Sequence, residues 1–172
     1  ILYCLCCSSL LLKSQVKVIP IEVENFKSSM RGLYVINETT AWASGTGGVV
    51  MKTTDGKMWK ADTIPGCRNL DFRDIHAFDT STAIVISAGA SGKIYRTADG
   101  GKNWKLVYQN TEPGTFFDGM DFWENGYGIL FGDPLQGKHL IYTSKDEGNS
   151  WERVVLDSLM IPLKNEGGFS AS

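Results

Sequence analysis

Three short segments of this chain are copies of one another. TTDGKMW ends at Trp59, TADGGKNW at Trp104 and SKDEGNSW at Trp151, so Asp55, Asp99 and Asp146 recur 44 and 47 residues apart. Self-similarity at this period marks a stack of supersecondary units, since four short strands with their turns occupy about 40–45 residues. The spacing is too long for a solenoid of short coils.

The correspondence extends through each unit. A first strand reads MRGLYVI from Met30, FRDIHAF from Phe72 and FFDGMDFW from Phe116; a second reads AWASG, AIVISAG and GILFGD. The third reads VVMKT, KIYRT and HLIYTS; the Asp-containing turn follows; and a fourth opens at each Trp with WKADTI, WKLVYQ and WERVVL. Each unit is a four-stranded antiparallel meander. Such a sheet cannot bury both faces by itself, so successive units must stack face to face around an axis, which is the propeller solution. The predicted fold class is all-β: a β-propeller fragment of three four-stranded blades plus the start of a fourth. The expected blades run over about 29–64, 71–110 and 116–157, with a fourth beginning at about 163–172 (LKNEGGFSAS). An incomplete ring leaves blade faces uncovered, which predicts poor solubility or self-association of the isolated polypeptide.

The turn chemistry has a physical reading. The Asp carboxylate accepts hydrogen bonds from backbone N–H groups of its own loop, and Thr53, Thr97 or Ser144 two residues earlier adds a hydroxyl. Gly101 and Gly148 supply backbone freedom. Trp59, Trp104 and Trp151 each offer a large ring to bury and an indole N–H that seeks a carbonyl. One repeated turn explains all three carboxylates at once, so they are read as structural staples and not as a catalytic set. The same count argues against calcium, because each loop offers one carboxylate where a hard cation takes six or more oxygens. In the first copy Trp59 follows Asp55 by four residues where the others leave five, so a tighter turn is expected there.

Composition narrows the function classes. A formal charge of −2 gives no cationic excess, which argues against a nucleic-acid partner. Residues 1–14 open with an apolar run to Leu12, shorter than the roughly 20 residues of a membrane-spanning helix. The run resembles the apolar core of a signal peptide. The expectation is a truncated signal peptide over 1–14, cut near Ser14/Gln15, and an exported mature part over 15–172, periplasmic or extracellular and not integral to the membrane. Cys4, Cys6 and Cys7 fall in that leader, leaving Cys67 without an intrachain partner. Tyr3, Leu5 and Cys6 make poor predecessors of a lipidated cysteine.

The pattern S/T-x-D-x-G-x-x-W at blade spacing resembles the BNR or Asp-box repeat of sialidases, sortilin-type receptors and photosystem II stability/assembly factors. RGLYVINETTAWASGTGGVVMKTTDG, FRDIHAFD, FGDPLQGKHLIYTSKDEGNSW and NEGGFSAS are most similar to exported bacterial proteins of the assembly-factor-like group, over nearly everything from Val18 onward. The resemblance implies a propeller of roughly six to eight blades and a binding module for a protein partner or a surface glycan. The motif identifies the repeat and not the chemistry.

Propeller ligands meet the face formed by the starts of the innermost strands. Aligned there are Arg31, Arg73 with Asp74, Asp118, and Glu166 in the fourth unit. Asp133, in the GDPLQG segment between second and third strands, is added as an extended-loop candidate. These groups either fork onto a carboxylated ligand, or Arg73 and Asp118 pair across neighbouring blades and keep the mouth solvated. Arg31 and Arg73 stand where sialidase arginines do, with Asp74 or Asp118 as an acid, but no arginine-isoleucine-proline signature accompanies them. No metal site is implied, His76 and His139 being 63 residues apart with no Cys partner. No cofactor is implied either, since residues 15–172 contain neither a strand-GxGxxG-helix fingerprint nor CxxCH or CxxC. The reading is a non-catalytic exported binding module, with a sialidase-like glycoside hydrolase as the alternative.

Overall fold

The computed structural model describes residues 23, 27–89, 91–155 and 162. They form three four-stranded antiparallel sheets in chain order. Blade 1 contains β1 (Met30–Val35), β2 (Ala41–Gly45), β3 (Val49–Thr53) and β4 (Trp59–Thr63). Blade 2 contains β5 (Asp71–Ala77), β6 (Ala83–Ala88), β7 (Gly92–Thr97) and β8 (Lys105–Asn110). Blade 3 contains β9 (Phe117–Phe122), β10 (Gly128–Leu135), β11 (Lys138–Ser144) and β12 (Glu152–Arg153). The expected fourth blade and the leader lie outside the described residues. No helix among the described residues is long and apolar enough to cross a membrane.

The period of two along each strand sends alternate side chains to opposite faces, and this divides the interior into two inter-blade cores. Trp42 and Val50 of blade 1 meet Phe72, Ile75, Ala83 and Val85 of blade 2. The other face of blade 2 carries Ile84, Ile86 and Ile94, each 0% exposed, against Phe117, Leu130, Leu140 and Tyr142 of blade 3. Fully burying such a side chain stabilises by about 1.5–3 kcal/mol, against about 1 kcal/mol for a typical hydrogen bond, so the facing apolar surfaces set how the blades stack.

Polar ties at the rim then fix the stacking. Lys52 of β3 lies over the Trp42 ring and donates from Nζ to the carbonyls of Thr80 (2.9 Å) and Gly100 (3.2 Å) in blade 2. Arg96, at the equivalent register of β7, donates from Nε to the carbonyl of Glu147 in blade 3 (3.1 Å) and ion-pairs with that side chain. Gly100 and Glu147 both follow the motif Asp of their turns. The inner strands approach closely at Gly32, where a Cβ would come 2.8 Å from the Ile75 nitrogen.

The turns differ among themselves as their lengths require. In blades 2 and 3 the hydroxyl donates to the Asp (Thr97 to Asp99, Ser144 to Asp146, both 2.9 Å) and accepts the glycine N–H of Gly101 (3.0 Å) or Gly148 (2.8 Å). Backbone and side-chain donors of Asn103 and Ser150 complete these loops. In blade 1 the shortened loop folds tighter: Asp55 accepts N–H groups from Lys57 and Met58, Gly56 donates to the carbonyl of Thr39 as Gly100 and Glu147 donate to those of Ser81 and Gly126, and no second glycine is there to donate to the Thr53 hydroxyl. The donated hydrogen bonds hold the Asp99 carboxyl down to about 2. Trp151 donates its indole N–H to the carbonyl of Gly148 (3.2 Å), as its position suggests. Trp104 departs from that expectation: its nitrogen is buried with no hydrogen-bond partner among the described residues, and its ring meets Trp42 edge-on at 6.2 Å.

One local reading is corrected. GDPLQG is not an extended loop, because β10 runs through Leu135 and a two-residue turn of Gln136 and Gly137, both with positive φ, returns the chain into β11. Such turns match the twist of the flanking strands.

Ser144 is 2% exposed and serves its turn as both donor and acceptor, whereas the Thr53 hydroxyl lacks the glycine donor. Ser144→Ala is expected to lower unfolding free energy by about 1–3 kcal/mol, and Thr53→Ala by less, measured by urea denaturation.

Candidate functional site at the inner-strand bulges

The first strand of every blade slips register at the same point. The shift falls between Met30 and Gly32, between Phe72 and Asp74, and opposite the Phe131/Gly132 step that pairs with Gly119 and Phe117. The extra residues are Arg31, Arg73 and Asp118. A bulge re-aims the side chain it carries and recurs beside functional sites; here three bulges bring three ionisable residues to equivalent places in successive inner strands.

Each of the first two leans on the residue that lies two before the next bulge. Arg31 ion-pairs with Asp71 (3.6 Å), and the Arg73 guanidinium stands 5.4 Å from the centre of the Phe116 ring. Asp71 and Phe116 were missed in the sequence because nothing in a period of two signals a contact made across blades. Their fixed offset from the aligned bulge residues is the signal that could have found them.

Asp118 is the most perturbed group of the set. It is 1% exposed, and its Oδ2 is buried with no hydrogen-bond partner among the described residues. Burial pushes its carboxyl up to about 6, Asp133 adds to the rise and Arg73 opposes it. The Asp133 N–H donates to the carbonyl of Phe116 (3.0 Å), so the extended β10 is what carries this second carboxyl to the mouth. Arg73, Asp118 and Asp133 thus form one electrostatic group, with Arg31 and Asp71 beside it.

Asp74 serves a different purpose. Its Oδ1 accepts the N–H of Ile75 (2.8 Å) and its Oδ2 that of Met120 in blade 3 (2.9 Å), so it ties inner strands together. Burial is the first cause raising its carboxyl. Glu166 lies outside the described residues.

His76 lies outside this group. His76 is buried among Tyr34, Phe78 and Phe122, at ring separations of 4.2, 4.9 and 4.7 Å, and its Nδ1 is 3.6 Å from the Asp121 carboxylate. Burial holds it down to about 4, so at neutral pH it is an uncharged core residue. Among the described residues no group of three or more His, Cys, Asp or Glu side chains could hold a metal ion.

These shifts generate opposite pH dependences. Asp118 binds its proton more tightly in the fold, so its contribution makes stability fall as pH rises from about 4 to about 6. His76 binds its proton less tightly in the fold, so its contribution makes stability rise from about pH 4 to about 6.5. Asp118→Asn removes the first slope and leaves the second. Its urea midpoint, followed from pH 4 to 7, is expected to climb more steeply than that of the wild type.

Comparison with known proteins places this geometry among related folds. No protein-family model matches the chain. It is 28% identical over 136 residues to vacuolar protein sorting/targeting protein 10 of Schizosaccharomyces pombe, an alignment covering 63% of this chain and 9% of that protein. Among solved structures it superposes on YCF48 bound to D1 peptide with a TM-score of 0.57 at 19% identity, covering 73% of this chain and 40% of that one. It superposes on YCF48 from Cyanidioschyzon merolae with a TM-score of 0.55 at 20% identity, covering 73% and 39%. The chain therefore spans less than half the length of each of these proteins. Its all-β composition, its three four-stranded antiparallel sheets and this superposition make it three blades of a β-propeller with the fold of the YCF48 proteins.

Proposed function

We propose that the protein is a non-catalytic, exported β-propeller module, like an assembly or stability factor, that takes up a protein partner at the mouth lined by the inner-strand bulges. The observation that carries this reading is the repeated bulge. Three blades pay for a break in their inner ladder at one register and set an ionisable residue there each time. Held against Asp71 and over Phe116, the two guanidiniums are oriented in advance, which lowers the ordering cost of engaging a peptide carboxylate or carbonyl. Asp133, half-buried beside them, suits an N–H donor of the same ligand. The YCF48 structure bound to D1 peptide supports a peptide as the ligand class.

A surface glycan and sialidase-like hydrolysis are the competing readings. The third bulge carries Asp118 where a third arginine would favour a sugar carboxylate, and this supports the peptide reading. The test titrates the purified protein with a peptide array and a sialoside panel while hydrolysis of a fluorogenic sialoside is followed in parallel. A peptide is expected to bind, with Arg31→Ala or Arg73→Ala weakening it about tenfold, the loss of one charge-assisted hydrogen bond. Sialoside turnover abolished by Arg73→Ala would overturn the reading. Peptide binding indifferent to both substitutions would overturn the assigned site.

A further inference from the structure

The copies of the Asp turn differ at one exposed position. Between the hydroxyl residue and the motif Asp stand Thr54 in blade 1 and Lys145 in blade 3, but only Ala98 in blade 2. At that methyl group the seam between the turns of blades 2 and 3 holds a cleft of about 310 Å³. Arg96, Ala98, Asn103, Trp104 and Val107 of blade 2 line it, together with Asn149 from the turn of blade 3. It lies at the opposite end of the blade from the bulges: β5 starts beside the Arg73 bulge and ends in the turn whose Ser81 carbonyl accepts the Gly100 N–H of the Asp turn (2.8 Å).

One wall of the cleft is aromatic. Trp151 is 7% exposed and tied to its own turn through the indole N–H, whereas Trp104 is half-buried and lines the cleft with the part of its ring that does not meet Trp42. The polar groups are held in place by bonds made inside the protein. Arg96 is neutralised by Glu147, and the Asp99 carboxylate accepts from the Thr97 hydroxyl and from both N–H groups of Asn103. Asn103 Nδ2 donates to Asp99 and Asn149 Nδ2 to the Asp146 carbonyl, both at 2.7 Å, so each amide is fixed with its Oδ1 available as an acceptor. The ties of Arg96 to Glu147 use Nε and Nη2, which keeps Nη1 as a donor. Lys105 stands exposed at the edge, where its ammonium keeps its water.

We propose that this cleft is a carbohydrate site, which takes one pyranose unit of an uncharged glycan with its C–H face on Trp104 and its hydroxyls on Asn103, Asn149 and Arg96. The site is separate from the mouth and does not rest on the peptide reading. A sugar ring is the ligand that presents an apolar face and a rim of hydroxyls together, each hydroxyl both donor and acceptor. The compensated charges of the cleft call for no charge on the occupant. Small-molecule clefts hold about 300–1,000 Å³ and combine a mainly apolar wall with a few fixed polar groups. This one is at the small end, which limits the occupant to a short piece of a longer chain.

Isothermal titration calorimetry of the full chain tests this, with uncharged gluco-, manno- and galacto-oligosaccharides as probes and galacturonate oligomers alongside. At least one uncharged probe is expected to bind, with an affinity that salt does not change. Ala98→Lys gives blade 2 the residue that blade 3 carries at Lys145, and it should weaken binding about tenfold or more by filling the cleft. Its urea midpoint should stay unchanged, because the position is exposed. Asn149→Ala should weaken binding about tenfold, through the loss of one hydrogen bond to a hydroxyl. Binding by none of the uncharged probes would overturn the proposal. Binding of galacturonate alone would show that Lys105 draws a charged ligand, and would overturn the ligand class. Binding indifferent to either substitution, or removed by Arg73→Ala at the mouth, would overturn the site.

Discussion

Everything in this molecule depends on covering both faces of a four-stranded sheet with other sheets. A single blade has a period-two strand pattern that is apolar on both sides, and neither side can be left to water without losing several kcal/mol of burial. Blade 2 shows the solved condition, with Val85 and Ile84, neighbours in one strand, both at 0% exposure and in different inter-blade cores. The Asp turns, the rim cations and the bulges are arranged around that requirement. They select among ways of stacking that the apolar faces have already made favourable.

The mouth follows from the stacking. Inner strands that converge on an axis must either shed side chains or break their ladder where they crowd. Gly32 shows the first solution, its missing Cβ leaving room for the backbone at Ile75. The bulges at Arg31, Arg73 and Asp118 show the second, and they turn a packing necessity into an array of ionisable groups. Asp118 carries the electrostatic consequence: it is buried, one carboxyl oxygen has no partner among the described residues, and a second carboxyl stands near, so the group binds its proton unusually well.

Much of this was legible in the residues. The three Asp turns, the four-strand grouping of each unit and the alignment of Arg31, Arg73 and Asp118 follow from comparing the chain with itself, because a repeat reports equivalent positions even when their environment is unknown. Three things were not legible. Asp74 reads in the sequence as one more charged residue at the mouth beside Arg73, and only the packed inner strands show that its carboxylate is committed to the Met120 N–H. Lys52 and Arg96 read as ordinary charged positions of a strand, since their acceptors lie in the following blade. GDPLQG reads as a loop from its Gly, Asp and Pro content, yet pairing with neighbouring strands extends β10 to Leu135.

The amino-acid sequence by itself determined the unit: four strands, a stapled turn, and apolar residues for two faces, all set by local periodicity and by hydrogen bonds within a few residues of their origin. Only the tertiary structure decided which charged groups remain at the mouth and which are used up between blades. That choice depends on distances between residues some 40 positions apart, fixed when the faces of neighbouring blades come into contact and the inner strands crowd together.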